Sequence, residues 1–217
     1  MKHLKCLFLD WHNTLSTSLF WGHLSDPSHI SHQMMGLITS YLFQSSGRVS
    51  TILEPWMRGE LTSEDIVHIL CQEQKLDPGI VLHELMVSCQ RMQFVSQEVP
   101  HYVSNLRAKG IQVVIATDNM DTFQRWTVPN LQLDTLFDAI LCSSDLRSLK
   151  ADRNHDGSSL FFAEYLRKHH VEHGESLLLD DGDEEFGQVI RRFGIHYQQI
   201  APGVGLVPAL QTLLDAL

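Results

Sequence analysis

The sequence predicts an α/β fold: a parallel sheet with helices on both faces and a mostly helical segment inserted after the first strand. Three observations carry this. Four short apolar runs each end in a polar cluster, helical patterns separate the runs, and residues 16–98 read as mostly helical. Unbroken apolar runs suit strands buried on both faces, and in open parallel sheets ligands bind just beyond the carboxyl ends of the strands.

The first strand is Leu4-Lys5-Cys6-Leu7-Phe8-Leu9, which breaks into Asp10-Trp11-His12-Asn13-Thr14. Asp10 is thereby placed for chemistry, although a carboxylate here also suits a helix cap. Within the insertion, 31–43 carries Met34, Met35, Ile38, Leu42 and Phe43 at helical spacing, ending at Ser45-Ser46-Gly47. Thr62 and Asp65 form a capping pair ahead of Ile66, Ile69 and Leu70, and Pro78 opens a helix through Leu82, Leu85 and Met86. After Gly110, the run Ile111-Gln112-Val113-Val114-Ile115-Ala116 ends in Thr117-Asp118-Asn119. Ala139-Ile140-Leu141-Cys142 leads to Ser143-Ser144 and then Lys150, and Ser176-Leu177-Leu178-Leu179 leads to Asp180-Asp181-Gly182-Asp183.

The order Asp10, Thr117, Lys150, Asp180-Asp181 resembles the four motifs of the haloacid dehalogenase-like (HAD) superfamily. The resemblance covers residues 1–15 and 99–217 as a Rossmann-like core and leaves 16–98 as an inserted helical cap. It implies Asp10 as nucleophile, Thr117 as a holder of a phosphoryl oxygen, and Lys150 as the cation that neutralises developing charge. It also implies a Mg²⁺ site, with Asp10 and Asp181 as ligands, Asp180 and Glu185 supporting, and the backbone carbonyl of His12 contributing. The residues themselves point to a cation, since five acidic side chains lie in 180–185 and converging carboxylates repel unless compensated. Asp183 and Glu184 suit the exposed start of the next helix. The implied reaction is phosphatase chemistry on a small phosphorylated metabolite through an aspartyl-phosphate. Asn119 and Arg58 are candidate substrate contacts, as are Trp21, His23 and Trp56 in the cap. Asn13 suits a left-handed turn.

The first motif departs from the family pattern. Where the superfamily's phosphatases carry a second Asp as general acid and base, this chain has His12. Three readings follow. The imidazole replaces the carboxylate as a cation raised by nearby acids, or it faces substrate while its carbonyl serves the metal, or it packs under the cap in a protein without turnover. Two alternatives to the phosphatase therefore stand: a metal-independent 2-haloacid dehalogenase, whose second position is likewise not acidic, and a catalytically degenerate binding protein. The acidity of the fourth motif ranks dehalogenation lower, because it opposes an anionic substrate.

The 217 residues carry a net charge of −10, with no basic cluster, which speaks against nucleic acid as partner. No run reaches membrane-spanning length and no leader is read in residues 1–9, so a cytoplasmic protein without a membrane partner is expected. Cys6, Cys71, Cys89 and Cys142 are scattered and suit reduced packing residues. Monomer and homodimer are both open. Asp152-Arg153-Asn154-His155-Asp156-Gly157 opens like a calcium loop, but its twelfth position is Ala163. His169, His170 and His173 have spacing that suits zinc, at a predicted helix end beside Gly174.

Overall fold

The computed structural model describes residues 3–44 and 49–217. Five strands, β1 (Cys6–Leu9), β2 (Gln112–Thr117), β3 (Ala139–Cys142), β4 (Ser176–Asp180) and β5 (His196–Gln199), form a parallel sheet in the order β3-β2-β1-β4-β5. Between β1 and β2 lie α1 (His32–Thr39), α2 (Glu54–Met57), α3 (Ser63–Gln74), α4 (Pro78–Gln90) and α5 (Val99–Ala108). Short helices α6 (Val128–Leu131) and α7 (Leu133–Leu136) precede β3, and α8 (Ser143–Leu146) and α9 (Ala163–Lys168) follow it. α10 (Glu184–Arg192) joins β4 to β5, and α11 (Leu206–Ala216) ends the chain.

β1 is central, with Leu9 opposite Ile115 on one side and Leu179 on the other. Because side chains alternate along a strand, Leu7, Leu9, Val113, Ile115, Leu177 and Leu179 enter one core, while Cys6, Phe8, Val114, Ala116 and Leu178 enter a second. Both faces are thus covered, which explains why these strands carry apolar residues without interruption. The first core takes side chains from α5 and α11, among them Val103, Leu106 and Leu210, and extends into the insertion through Trp21, Trp56, Ile66 and Leu85. The second takes Leu166 and Ile190 from α9 and α10.

The insertion starts its helices where the local chemistry directs. Thr62 and Asp65 form a reciprocal capping box on α3, and Asp77 caps α4 at Ile80 with Pro78 in the first turn. The predicted helix over 31–43 divides into α1 and a π-helical turn, Ser40–Gln44. The predicted break at Ser45-Ser46-Gly47 lies outside the described residues. All four cysteines are buried and unbridged. No described helix is long and apolar enough to cross a membrane.

Polar contacts also fasten the insertion to the core. Trp56 Nε1 and Ser63 Oγ donate to Asp121 Oδ1 at 2.8 and 2.6 Å, and Arg125 Nη1 donates to Asp121 Oδ2 at 2.8 Å. Burial pushes the Asp121 carboxyl up, but the bonds from Ser63, Arg125 and Trp56 outweigh it and hold the group below the usual carboxylate range. A group depressed by folding stabilises fully above its unfolded value of about 4, and that contribution is lost as pH falls through the folded value. Asp121→Ala is expected to cost about 1–3 kcal/mol at pH 7 by leaving donors of Ser63 and Trp56 unpaired. Urea melts should place the variant below wild type at pH 7, with the difference shrinking below about pH 4.

Candidate active site

The central strands deliver their polar ends to one edge of the sheet. Asp10 follows β1, Thr117 ends β2 and Asp180 ends β4, while Lys150 arrives from the loop after α8. Lys150 Nζ donates to Asp10 Oδ1 at 2.8 Å and to Asp180 Oδ2 at 2.5 Å. Asp10 and Lys150 are each only 5% exposed. The loop carrying Lys150 is itself held by its backbone N–H, which donates to Asp118 Oδ1 at 2.9 Å. Asp181 is fixed from the opposite end of the chain, since Asn13 Nδ2 donates to its Oδ2 at 2.9 Å. Asn13 adopts a left-handed backbone with φ of 58°, as its place in the turn suggests, and its carbonyl accepts from Gly203 N–H at 2.7 Å.

Burial dominates the electrostatics. It pushes the Asp10 carboxyl up to about 7, against the pull of Lys150, with Asp180 and Asp118 adding to the push. Asp118 is raised as well, again by burial first. For Lys150, burial works against the charged form, but Asp10, Asp180 and Asp118 outweigh it and keep the ammonium protonated. One buried cation therefore faces more carboxylates than it can neutralise.

Oxygens of Asp10, Asp180 and Asp181 lie within 4.8 Å of one another. A hard dication fits this donor set, because Mg²⁺ is commonly held by one or two carboxylates and keeps its remaining positions for water and phosphate oxygen. Glu185 does not join the group: it is exposed on α10. Asp183 caps that helix by accepting from Phe186 N–H at 2.9 Å, which starts a turn leading away from the site. Glu184 pairs with Arg191 at 2.7 Å, consistent with a place at the exposed helix start. Thr117 Oγ1 is buried and has no hydrogen-bond partner among the described residues, so an oxygen acceptor is chemically called for beside it.

His12, Asp118 and Asn119 line a cavity between the insertion and the sheet edge. His12 does not carry the raised pKa expected from neighbouring acids. Burial of part of the ring and Lys150 hold it below its ordinary value, and Asp181 only partly compensates. Asn119 is buried, with its Oδ1 accepting from Met120 N–H at 2.9 Å. Arg58 is directed elsewhere. It pairs with Asp152 through both terminal nitrogens and with Glu54 Oε1 at 2.9 Å, fastening the insertion to the loop after Lys150 instead of reaching the cavity. The remaining cap candidates are likewise engaged: Trp21 Nε1 donates to Val81 O, His23 meets Glu84 Oε2 at 2.8 Å, and Trp56 serves Asp121.

Two side possibilities lose their ligands. Asp152, the first residue of the calcium-like run, is occupied by Arg58 and by Leu149 N–H, while Asp156 accepts from Ser158. His169 stacks on Tyr165 and His173 Nδ1 meets Phe193 O, so among the described residues these histidines form no common metal site.

No family model matches the chain, and no curated protein matches it in sequence. Solved structures do. A predicted HAD-like family hydrolase from Porphyromonas gingivalis superposes with a TM-score of 0.71 at 17% identity, covering 98% of each chain. A HAD family enzyme from Bacteroides thetaiotaomicron, in complex with magnesium and inorganic phosphate, gives 0.65 at 14% identity over 92% of this chain and 96% of that one. L-2-haloacid dehalogenase from Xanthobacter autotrophicus, with chloropropionic acid covalently bound, gives 0.62 at 13% identity over 91% and 78%. With its parallel α/β core and the helices inserted after the first strand, the chain has the fold of the haloacid dehalogenase-like hydrolases.

Proposed function

We propose that this chain is a Mg²⁺-dependent phosphatase that hydrolyses a small phosphomonoester through a phosphoryl group carried on Asp10. The observation that supports this most strongly is the Lys150 ammonium buried between Asp10 and Asp180, with Asp181 alongside. Asp10, Asp181 and the His12 carbonyl would hold Mg²⁺, with Asp180 supporting, and the bound ion supplies charge neutralisation on the phosphoryl oxygens. A relative in fold that holds magnesium and inorganic phosphate is in keeping with this reading. The net charge of −10 favours a small molecule over nucleic acid as partner.

Asp10 attacks phosphorus through its carboxylate, and the bond from phosphorus to the substrate's alcohol oxygen breaks. Lys150 opposes the effect of burial and favours the ionised nucleophile, and it steadies the charge that develops, while Thr117 Oγ donates to a phosphoryl oxygen. The ring of His12, neutral in the free protein, takes a proton from solvent as the dianionic phosphate arrives and passes it to the leaving oxygen. Neutral again, it accepts a proton from the water that attacks the acyl phosphate, which frees Asp10 and releases inorganic phosphate. His12→Gln is expected to lower kcat by about 10²–10⁴-fold with a smaller change in KM, as steady-state phosphate release would report. An unchanged kcat would remove the imidazole from proton transfer.

Metal-free hydrolysis of a 2-haloacid is a second reading, favoured by the non-acidic His12 and by the dehalogenase of the same fold. The two separate in one experiment. Phosphate release from a panel of small phosphomonoesters is measured with Mg²⁺ and with chelator, beside halide release from 2-haloacids. Turnover of phosphomonoesters that needs Mg²⁺ supports the phosphatase, whereas halide release in chelator, with no phosphate release, would replace it.

A further inference from the structure

The cavity over the site says what the leaving group is. It measures about 470 Å³, within the range of small-molecule sites, and its floor is formed by His12, Asp118 and Asn119, which join it to the acidic centre. Its walls are mostly apolar. Trp11, Leu19 and Phe20 come from the segment after β1, Phe43 and Leu53 from the insertion, and four methionines, Met35, Met57, Met92 and Met120, join them, with Ser18 and Thr39 as the polar residues of the wall. None of the described residues lining the cavity is a lysine or arginine. Arg58, the cap cation that the sequence offered as a substrate contact, is spent on Asp152 and Glu54. A second anionic group on the substrate would therefore enter a largely apolar chamber beside Asp118, with no lysine or arginine among the described lining residues to balance it, which desolvation and repulsion both oppose. A hydroxyl-rich sugar would leave most of its hydroxyls against hydrocarbon, since beyond the floor only Ser18 and Thr39 among the described lining residues offer polar side chains.

We infer that the substrate is a phosphomonoester of an uncharged, apolar alcohol or phenol, whose hydrocarbon part fills this methionine-walled chamber while its phosphate sits at Asp10. The inference rests on the phosphatase reading for the reaction, but the chamber's selectivity stands apart from it. Methionine side chains are unbranched and polarizable, so they adjust to hydrocarbon of varied shape. Selection here is by chain length and apolarity more than by one rigid outline. The same chamber disfavours a 2-haloacid, whose carboxylate would face mostly hydrocarbon with no lysine or arginine among the described lining residues.

The test uses the full chain with Mg²⁺ and a series of n-alkyl phosphates from ethyl to octyl, beside glucose 6-phosphate and phosphoglycolate. Specificity, kcat/KM, is expected to rise about three- to fourfold per methylene until the chamber is full, with the sugar phosphate and phosphoglycolate poorest. In parallel, calorimetry follows binding of the matching n-alkylphosphonates, which cannot be hydrolysed. Met35→Lys places a cation in the wall without touching the centre. It should flatten the chain-length dependence and raise kcat/KM for phosphoglycolate relative to octyl phosphate. Turnover with a flat series, or with glucose 6-phosphate preferred, overturns the chamber's role and leaves the phosphatase reading intact. Chain-length-dependent binding without turnover keeps the apolar ligand and overturns the phosphatase. Phosphonate binding that ignores chain length, together with no turnover, overturns both.

Discussion

Asp10→Asn is expected to abolish phosphate release, with a loss on the order of 10⁴-fold or more, while the protein stays folded. The amide is nearly the same size as the carboxylate and cannot act as the nucleophile. It also removes a charge that burial disfavours, since the carboxyl of Asp10 is pushed up to about 7 even with Lys150 at 2.8 Å. Asp180 still accepts from Lys150 in the variant, so the ammonium is not stranded. Single-turnover phosphate release and a thermal melt on the same preparation check both halves. Residual activity within tenfold of wild type would place the nucleophile elsewhere.

Lys150→Met carries the largest expected effect on stability. Deleting the ammonium leaves Asp10 and Asp180 buried without their shared donor, and breaking a buried ion pair from one side typically costs about 3–5 kcal/mol. Lys150→Met should lose stability on that scale in urea at pH 7. Lowering the pH should recover part of the loss, because protonating one carboxyl removes the repulsion. Added Mg²⁺ should recover part of it too, by mass action on the folded state. A variant as stable as wild type would mean that the two carboxyls are not both ionised in the folded protein, and the case for a dication between them would weaken.

Much of this arrangement was legible along the chain. A strand buried on both faces must be apolar throughout, so the abrupt change at Asp10, Thr117 and Asp180 marked the sheet edge without any knowledge of pairing. Lys150 followed from motif order alone, because nothing local distinguishes it from a solvated lysine. Other features depend on where side chains point. Arg58 looked free to clamp an anion, yet its partner is Asp152, 94 residues away in sequence. Glu185 lies in the same acidic run as Asp181, but the cap that Asp183 places on α10 turns it outward. The bond from Asn13 to Asp181 spans 168 residues and has no local signal beyond the turn propensity of asparagine. β5 is a similar case: in His196–Gln199 only Tyr197 is buried, as suits an edge strand, so no apolar run announced it. The chamber is the least legible feature, since its walls come from five separate stretches whose residues read individually as core.

The chemical role of His12 divides in the same way. Its departure from the usual carboxylate was plain in the sequence, but one of the three readings there had its pKa raised by nearby acids, and in the structure the shift runs the other way. Partial burial and Lys150 outweigh Asp181. Proximity of charges in sequence did not reveal which of them face the ring, nor how much water the ring had lost.

The most direct measurement on the central claim is mass spectrometry of the Asp10 peptide, rapidly quenched in acid during turnover of a phosphomonoester with Mg²⁺. One added phosphoryl group is expected on that peptide, absent in chelator and absent in Asp10→Asn. Steady phosphate release with Asp10 never modified, or a carbon adduct on Asp10 from a 2-haloacid in metal-free buffer, would contradict it.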